Sequence, residues 1–216
     1  MKKTLYSLML SDDVVREIDN LAHRRGTNRS ALVNQILAEY VDLTTPERQI
    51  SDIFRQIGEL LSTDRELVPF VAPNASTMSM KSSLQYRYRP TVKYSVELYR
   101  DRGGALGELS VVFRTQSAEL LSAMDAFFHL WKRVEDELIA GYLPRPAEYA
   151  LYNGRFTRTI ALPARRDYST NDIAEAISAY VRLFDRLMKG YLAGSLTAEQ
   201  VRSEYIDWLR QGNMIL

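Results

Sequence analysis

The first 42 residues constrain the fold of this chain more than any other segment. An alternating apolar run over 4–10 predicts a short strand, and two segments with helical spacing follow it. Ser11 or Asp12 suits the N-cap of the first helix, Gly26 its C-terminal end, and Asn28 the N-cap of the second. A unit of this size buries too little surface to fold alone, so it predicts a dimer in which a second copy completes the core.

The alternation divides the strand into two faces, and each helix carries one apolar stripe. The inward strand residues are Tyr6, Leu8 and Leu10. The outward residues are Leu5, Ser7 and Met9, with Lys3 beyond them. The stripes consist of Val14, Ile18, Leu21 and Ala22 in the first helix, and of Leu32, Val33, Ile36, Leu37, Tyr40 and Val41 in the second.

The strand, the Leu10-Ser11 junction, the Arg25-Gly26 turn and the helix start over 28–32 resemble the ribbon-helix-helix family of DNA-binding proteins, of the CopG, Arc and MetJ type. The resemblance covers residues 1–42. It implies an antiparallel ribbon of two strands, one per subunit, in the major groove of DNA, and a phosphate at the N-terminus of the second helix. The DNA-binding residues that it implies are Lys3, Leu5, Ser7, Met9, Asn28, Arg29 and Ser30.

Other readings of these residues remain open. Asn28 also fits a simple N-cap, and Arg29 a solvated surface charge. The family usually presents polar or basic side chains on the outward face, whereas this strand presents Leu5 and Met9 there. Residues 1–42 contain six basic and six acidic residues, so their net charge is zero. An apolar outward face is also suited to docking a protein.

The rest of the chain predicts a connection and a second domain. Thr45-Pro46-Glu47 is typical of a helix start, and we expect a connecting helix over 45–72 after the 1–44 domain. Small polar residues without periodicity indicate a linker over 73–83. Residues 84–216 then form an α+β domain of unknown role, so the expected fold class is mostly α with an α+β second domain.

Antiparallel hairpins and packed helices are expected in this second domain. Strands are predicted over 84–100 and 109–113, and a second hairpin turns at Asn153-Gly154. Long helices are predicted over 117–142, after Ser169 and after Thr197. The acidic run Glu135-Asp136-Glu137 is expected on a solvated helix face, and Arg155 and Arg158 on the surface of the sheet.

Composition excludes several kinds of chemistry. The chain has no cysteine and two histidines, which removes disulfides, thiolate nucleophiles and multi-histidine metal sites. It contains no glycine-rich phosphate loop and no nucleophile elbow. No apolar run has the length of a membrane span, and the N-terminus lacks the features of a signal peptide. We therefore expect a cytoplasmic protein that is not an enzyme and needs neither a cofactor nor a metal.

The sequence favours a dimeric, sequence-specific DNA-binding protein, a transcriptional regulator of the repressor type. Its partners would be double-stranded DNA, a second copy of itself (with higher-order assembly on DNA), and a small-molecule or protein effector at the second domain. The alternative is a protein-interaction module: an antitoxin-like dimer, or an accessory dimer of a plasmid or mobile element, whose second domain binds a partner.

Overall fold

The computed structural model describes residues 4–64, 66–71, 74, 76–84, 90–100, 104–163, 167–214 and 216. The chain divides into two compact units, Met1–Gln49 and Ile50–Leu216. Six helices and one antiparallel sheet of six strands make up the described part, so the predicted combination of an N-terminal helical unit with an α+β second part is confirmed.

The N-terminal unit contains α1, Asp12–Arg24, and α2, Arg29–Tyr40. The predicted strand over 4–10 forms no hydrogen-bonded strand in the single chain. A ribbon strand takes its hydrogen bonds from the strand beside it, which in the predicted dimer belongs to the second copy. The buried side chains of the two helices are Ala22, Leu32 and Ala38. One copy therefore has almost no core of its own in this unit.

The third helix ends earlier than the sequence suggested. Helix α3 spans Pro46–Leu61, and the Thr45 hydroxyl accepts the Arg48 N–H at 3.2 Å near its start. Residues 68–71, expected within a connecting helix over 45–72, instead form strand β1, Val68–Val71. From Ile50 onward the apolar side chains of α3 belong to the core of the second unit. The helix is thus part of that unit's core and not only a connector.

The six strands are joined in the order β1-β2-β3-β4-β6-β5. Their bounds after β1 are β2 Thr77–Ser83, β3 Thr91–Leu98, β4 Gly107–Phe113, β5 Tyr149–Tyr152 and β6 Arg155–Ile160. The predicted linker over 73–83 is corrected, because β2 occupies most of it. Met78, Met80 and Ser82 are buried on one face of the sheet, and the residues that alternate with them lie on the other: Thr77, Ser79, Lys81 and Ser83. This alternation with a period of two was hidden by the polar composition.

Three helices complete the second unit: α4 Ala118–Leu138, α5 Thr170–Leu192 and α6 Ala198–Arg210. The predicted cap at Ser169 and the predicted capping box at Thr197 are both present, and the cap at Ser169 is a capping box as well. The helices share a core with the inward sheet residues, and Phe184 of α5 lies 5.4 Å from Phe156 of β6 between ring centroids. At the predicted hairpin, Gly154 adopts a φ of +70°. The result is a two-layer α+β unit with helices on one face of the sheet.

Two charged residues that were expected at the surface are buried. Glu135 is 0 % and Arg158 1 % exposed, and Arg158 Nε donates to Glu135 Oε2 at 2.9 Å. The hydroxyls of Tyr149 and Tyr205 donate to the same carboxylate, each at 3.0 Å. The Arg158 guanidinium also lies 4.8 Å from the ring centroid of Tyr180 and donates to the backbone oxygen of Leu216. These partners make burial of the charges tolerable, and they come from elements far apart in sequence.

Electrostatics within this buried cluster favour the ion pair. Although burial opposes its charge, the Glu135 carboxylate raises the pKa of Arg158 above its ordinary value. Burial, and then the charge of Glu135, also raise the pKa of Tyr149 and Tyr205, so both phenols stay protonated and donate. The cluster consequently joins α4, β5, β6 and α6 through one carboxylate.

Candidate nucleic-acid interface

The start of α2 has the geometry of an anion site. Asn28 has extended backbone angles, and its side chain accepts the Ala31 N–H at 2.9 Å. The backbone N–H groups of Arg29 and Ser30 have no acceptor within the described residues. Unpaired N–H groups and the positive end of the helix dipole together attract an anion such as a phosphate. The predicted N-cap role of Asn28 is therefore confirmed, and it leaves two donors exposed.

The turn that leads into this site is fixed by Gly26. Its φ is +62°, in the left-handed region that ends many helices. The Gly26 N–H donates to the His23 carbonyl at 3.1 Å, and the Thr27 N–H donates to the Ala22 carbonyl at 2.9 Å. The end of α1 and the start of α2 are thus joined by a short, hydrogen-bonded connection.

Arg29 is not a free surface charge. Its Nε donates to Asp19 Oδ1 at 2.7 Å, and a second guanidinium nitrogen donates to Oδ2, so the pair is bidentate. Both side chains are about half exposed. Hydrogen bonding to Arg29 lowers the pKa of Asp19, and the same bond raises the pKa of Arg29. A phosphate at the start of α2 would meet this carboxylate beside the arginine that was predicted to bind it.

The segment before α1 presents its apolar side chains to solvent. Leu5 and Met9 on the predicted outward face are 98 % and 102 % exposed. The predicted inward residues are less exposed: 81 % for Tyr6, 62 % for Leu8 and 44 % for Leu10. The two groups differ in the direction that the alternation predicts, even in a single copy. An inward set that remains this open indicates a core that one chain does not complete.

The helices of the unit show the same incompleteness. On α1 and α2 the predicted stripes contain the exposed residues Val14, Ile36, Leu37 and Tyr40, whereas Leu32 is 0 % exposed. Exposed large apolar side chains on adjacent elements mark an interaction surface. They are the surface against which the dimer is predicted to form.

The predicted DNA-binding residues fall into two groups. Asn28, Arg29 and Ser30 lie together at the start of α2, whereas Leu5, Ser7 and Met9 lie along the extended segment. Lys3 lies outside the described residues. Within the described part of the chain, no hydrogen bond or ion pair joins the two groups.

Sequence reasoning missed the role of Asp19. It lies ten residues before Arg29, on a different helix, so the period of neither helix points to the contact. The only sequence feature that agrees with this contact is the presence of an acidic residue on α1, the helix that precedes Arg29.

The second unit offers a different kind of feature, a cleft of about 500 Å³. It is bordered by Tyr142, Tyr168, Glu175 of α5 and Asn213, among others. Among the described residues no group of three or more His, Cys, Asp or Glu side chains is arranged to hold a metal ion, and no helix is long and apolar enough to cross a membrane.

Comparison with known proteins identifies one segment of the chain. Neither the curated proteins nor the solved structures contain a match. Residues 7–44 match the family described as ribbon-helix-helix protein, copG family. The match begins within the predicted strand, includes α1 and α2, and ends just before α3. The N-terminal segment of this chain is therefore similar to the copG family of ribbon-helix-helix proteins over these residues.

Proposed function

We propose that the chain is a dimeric, sequence-specific DNA-binding protein that acts as a transcriptional regulator of the repressor type. Segments 4–10 of two copies would pair as an antiparallel ribbon and enter the major groove. The observation that carries this proposal is the ribbon-helix-helix match over residues 7–44, together with an inward apolar face that one copy leaves exposed.

The start of α2 would fix the position of the dimer on the DNA backbone. The exposed N–H groups of Arg29 and Ser30 would bind a phosphate, and Arg29 would add charge once it turns from Asp19. On the ribbon, Ser7 is the hydrogen-bonding reader, while Leu5 and Met9 would pack on thymine methyl groups. Positioning and sequence reading are therefore assigned to different residues.

A mobility-shift titration over a range of salt concentrations tests the proposal. The full-length protein should bind DNA from upstream of its own gene more tightly than scrambled DNA of equal length. The logarithm of the affinity should fall linearly with the logarithm of the salt concentration, by roughly 0.9 for each phosphate neutralised. A folded dimer that shifts neither DNA at low salt would reject DNA binding.

Two substitutions separate the assigned roles. Arg29→Ala should weaken binding to specific and scrambled DNA alike, because a phosphate contact carries no sequence information. It should reduce the salt slope by about 2, because each subunit of the dimer loses one phosphate contact. Ser7→Ala should reduce the difference between the two DNAs and leave the salt slope unchanged. Equal effects of the two variants on both measures would contradict the assignment.

A second candidate function is a protein-interaction module, of the antitoxin type or as an accessory dimer of a mobile element. The full exposure of Leu5 and Met9 and the pairing of Arg29 with Asp19 favour it, because both features weaken a DNA-binding surface. The same titration distinguishes the two functions. Under the second candidate the protein is a folded dimer, and DNA binding is absent or is not selective for sequence.

A further inference from the structure

The face of the sheet that the helices leave open has an ordered distribution of side chains. Cross-strand pairing places Ser79, Ser95, Ser110 and Thr157 in one row across β2, β3, β4 and β6. These residues are small and carry hydroxyl groups, so the middle of the face is flat. We call this row the hydroxyl row and the whole outward surface of the sheet the open face.

Opposite charges lie on the two sides of the hydroxyl row. On one side are Lys81, Lys93 and Arg155, with Lys93 directly opposite Lys81 in the register. On the other side, Glu97 lies directly opposite Glu108. Strand β3 carries both signs of charge, one on each side of the row, whereas β2 and β6 carry a charge only on the positive side and β4 only on the negative side. Along β3, Lys93 and Glu97 are four residues apart, or about 13 Å, too far to pair with one another.

Like charges directly opposite each other weaken a sheet, so this pattern is unfavourable within one copy. Burial, and next the charge of Glu97, raise the pKa of Glu108 even though Arg155 opposes this effect. Lys93 and Glu97 take part in no ion pair within the described residues. Ser110 Oγ, in a residue only 8 % exposed, has no hydrogen-bond partner there either. Among the described residues of the open face, Lys93 and Glu97 therefore lack a counter-charge and Ser110 Oγ lacks a hydrogen-bond partner.

We propose that the open face binds the open face of a second copy of this chain. A twofold axis along the hydroxyl row would place row against row and would reverse the strand direction. Lys93 of each copy would then face Glu97 of the other, and Arg155 would lie one strand away from the other copy's Glu108. Because the face is complementary to itself in charge and flat in the middle, an identical copy fits it without a second kind of partner.

The size of the face indicates how the contact is maintained. Five strands and three rows give an area of about 20 Å by 20 Å, or roughly 800 Å² buried over both copies. That area is characteristic of a weak interface when it acts alone. The proposed N-terminal dimer would hold two copies together and raise their effective concentration at the sheet. In this one respect the inference rests on the proposed dimer, although it is independent of DNA binding.

Site-directed cross-linking tests the contact, because the natural chain has no cysteine. Ser95→Cys places a thiol in the hydroxyl row, next to the proposed axis. Ser203→Cys, on the exposed surface of α6, is the matched control. With a short bismaleimide, the Ser95 variant should form a covalent dimer about tenfold faster than the Ser203 variant. Equal rates would overturn the proposal.

Charge reversal then tests the pairing itself. In the Ser95→Cys protein, Lys93→Glu should slow cross-linking about tenfold, since it sets like charges against each other. The double variant Lys93→Glu with Glu97→Lys restores opposite charges across the axis and should restore the rate. If the double variant cross-links as slowly as the single one, the proposed pairing is wrong. Sedimentation of each variant shows separately whether the N-terminal dimer is intact, so its failure is distinguishable from failure of the sheet contact.

Discussion

At the scale of single residues, Asp19 and a DNA phosphate would compete for the same guanidinium. Asp19 holds Arg29 through two hydrogen bonds at the start of α2, where an anion is expected to bind. In the free protein this ion pair neutralises the site, and on DNA the carboxylate would repel the phosphate. If the protein binds DNA as proposed, Asp19 would limit nonspecific attraction to it, in agreement with the zero net charge of residues 1–42.

Replacing Asp19 should strengthen DNA binding. In Asp19→Ala, Arg29 no longer has to leave a carboxylate before it binds a phosphate, so affinity for specific and scrambled DNA should rise. The salt slope should stay near the wild-type value, because the number of phosphates contacted in the complex is unchanged. Mobility-shift titrations at several salt concentrations measure both quantities. The double variant Asp19→Ala with Arg29→Ala is the control and should behave as Arg29→Ala does. A gain that persists in the double variant would show that Asp19 acts through another group.

Glu135 and Arg158 form a second ion pair, which differs from the Arg29–Asp19 pair because it is buried. Each is a buried charge whose compensation depends on the other. Removal of one partner leaves an uncompensated charge in the core, which costs far more than the pair itself contributes. Neither residue could be assigned from the sequence, because Glu135 belongs to an acidic run and Arg158 alternates with polar residues.

Arg158→Met should therefore destabilise the second unit by about 3 to 5 kcal/mol. Urea unfolding followed by tryptophan fluorescence gives this value, since Trp131 and Trp208 both lie in the second unit. Adding Glu135→Gln to Arg158→Met should recover part of the loss, because the orphaned carboxylate is removed. The control is the single variant Glu135→Gln. If Glu135→Gln lowers the free energy of unfolding by the same amount in Arg158→Met as in the natural protein, the two residues act independently.

At the scale of elements, the sequence predicts a structure well where one local rule decides it. The caps at Asn28, Ser169 and Thr197 and the hairpin at Gly154 follow from residue types at fixed spacing, and all are present. Strand β2 was missed because its outward residues have the composition of a linker. Its inward residues are buried because helices from elsewhere in the chain cover them, which the local sequence does not show. Burial on the inner face, which tertiary packing decides, is what distinguishes this strand from a loop.

The segment over 4–10 is an element that a single copy does not complete. Its alternation assigns Leu8 to the dimer core and Met9 to the opposite face. Neighbouring positions in one segment therefore have different predicted functions, which makes them matched controls for each other.

Leu8→Asp should abolish dimerisation and with it DNA binding, because a charge would enter the core formed by the two copies. Met9→Asp places the same charge on the outward face, so the protein should remain a dimer while its DNA binding weakens through repulsion. Sedimentation equilibrium gives the mass, and mobility shifts give the binding. If Met9→Asp dissociates the dimer and Leu8→Asp does not, the two faces have been assigned in reverse.

At the scale of the whole molecule, the two units differ in what stabilises them. The second unit has a continuous core that includes Trp131, Phe156 and Phe184. The N-terminal unit buries only Ala22, Leu32 and Ala38 within its two complete helices. Folding of the first unit is thus expected to depend on association, whereas the core of the second is contained within one chain. The residue pattern predicted that the first unit depends on a second copy for its core. The extent of the second unit's core could be seen only in the tertiary structure.

Two separate unfolding transitions should follow from this contrast. In a urea titration, the helical circular-dichroism signal of α1 and α2 should be lost first, and its midpoint should rise with protein concentration because dimers unfold to monomers. Tryptophan fluorescence should change in a second transition at higher urea, when the core around Trp131 opens. The variant Leu8→Asp should lack the first transition and keep the second, since it removes the dimer without touching the second core. A single transition shared by both signals at every concentration would mean that the two units unfold as one cooperative structure.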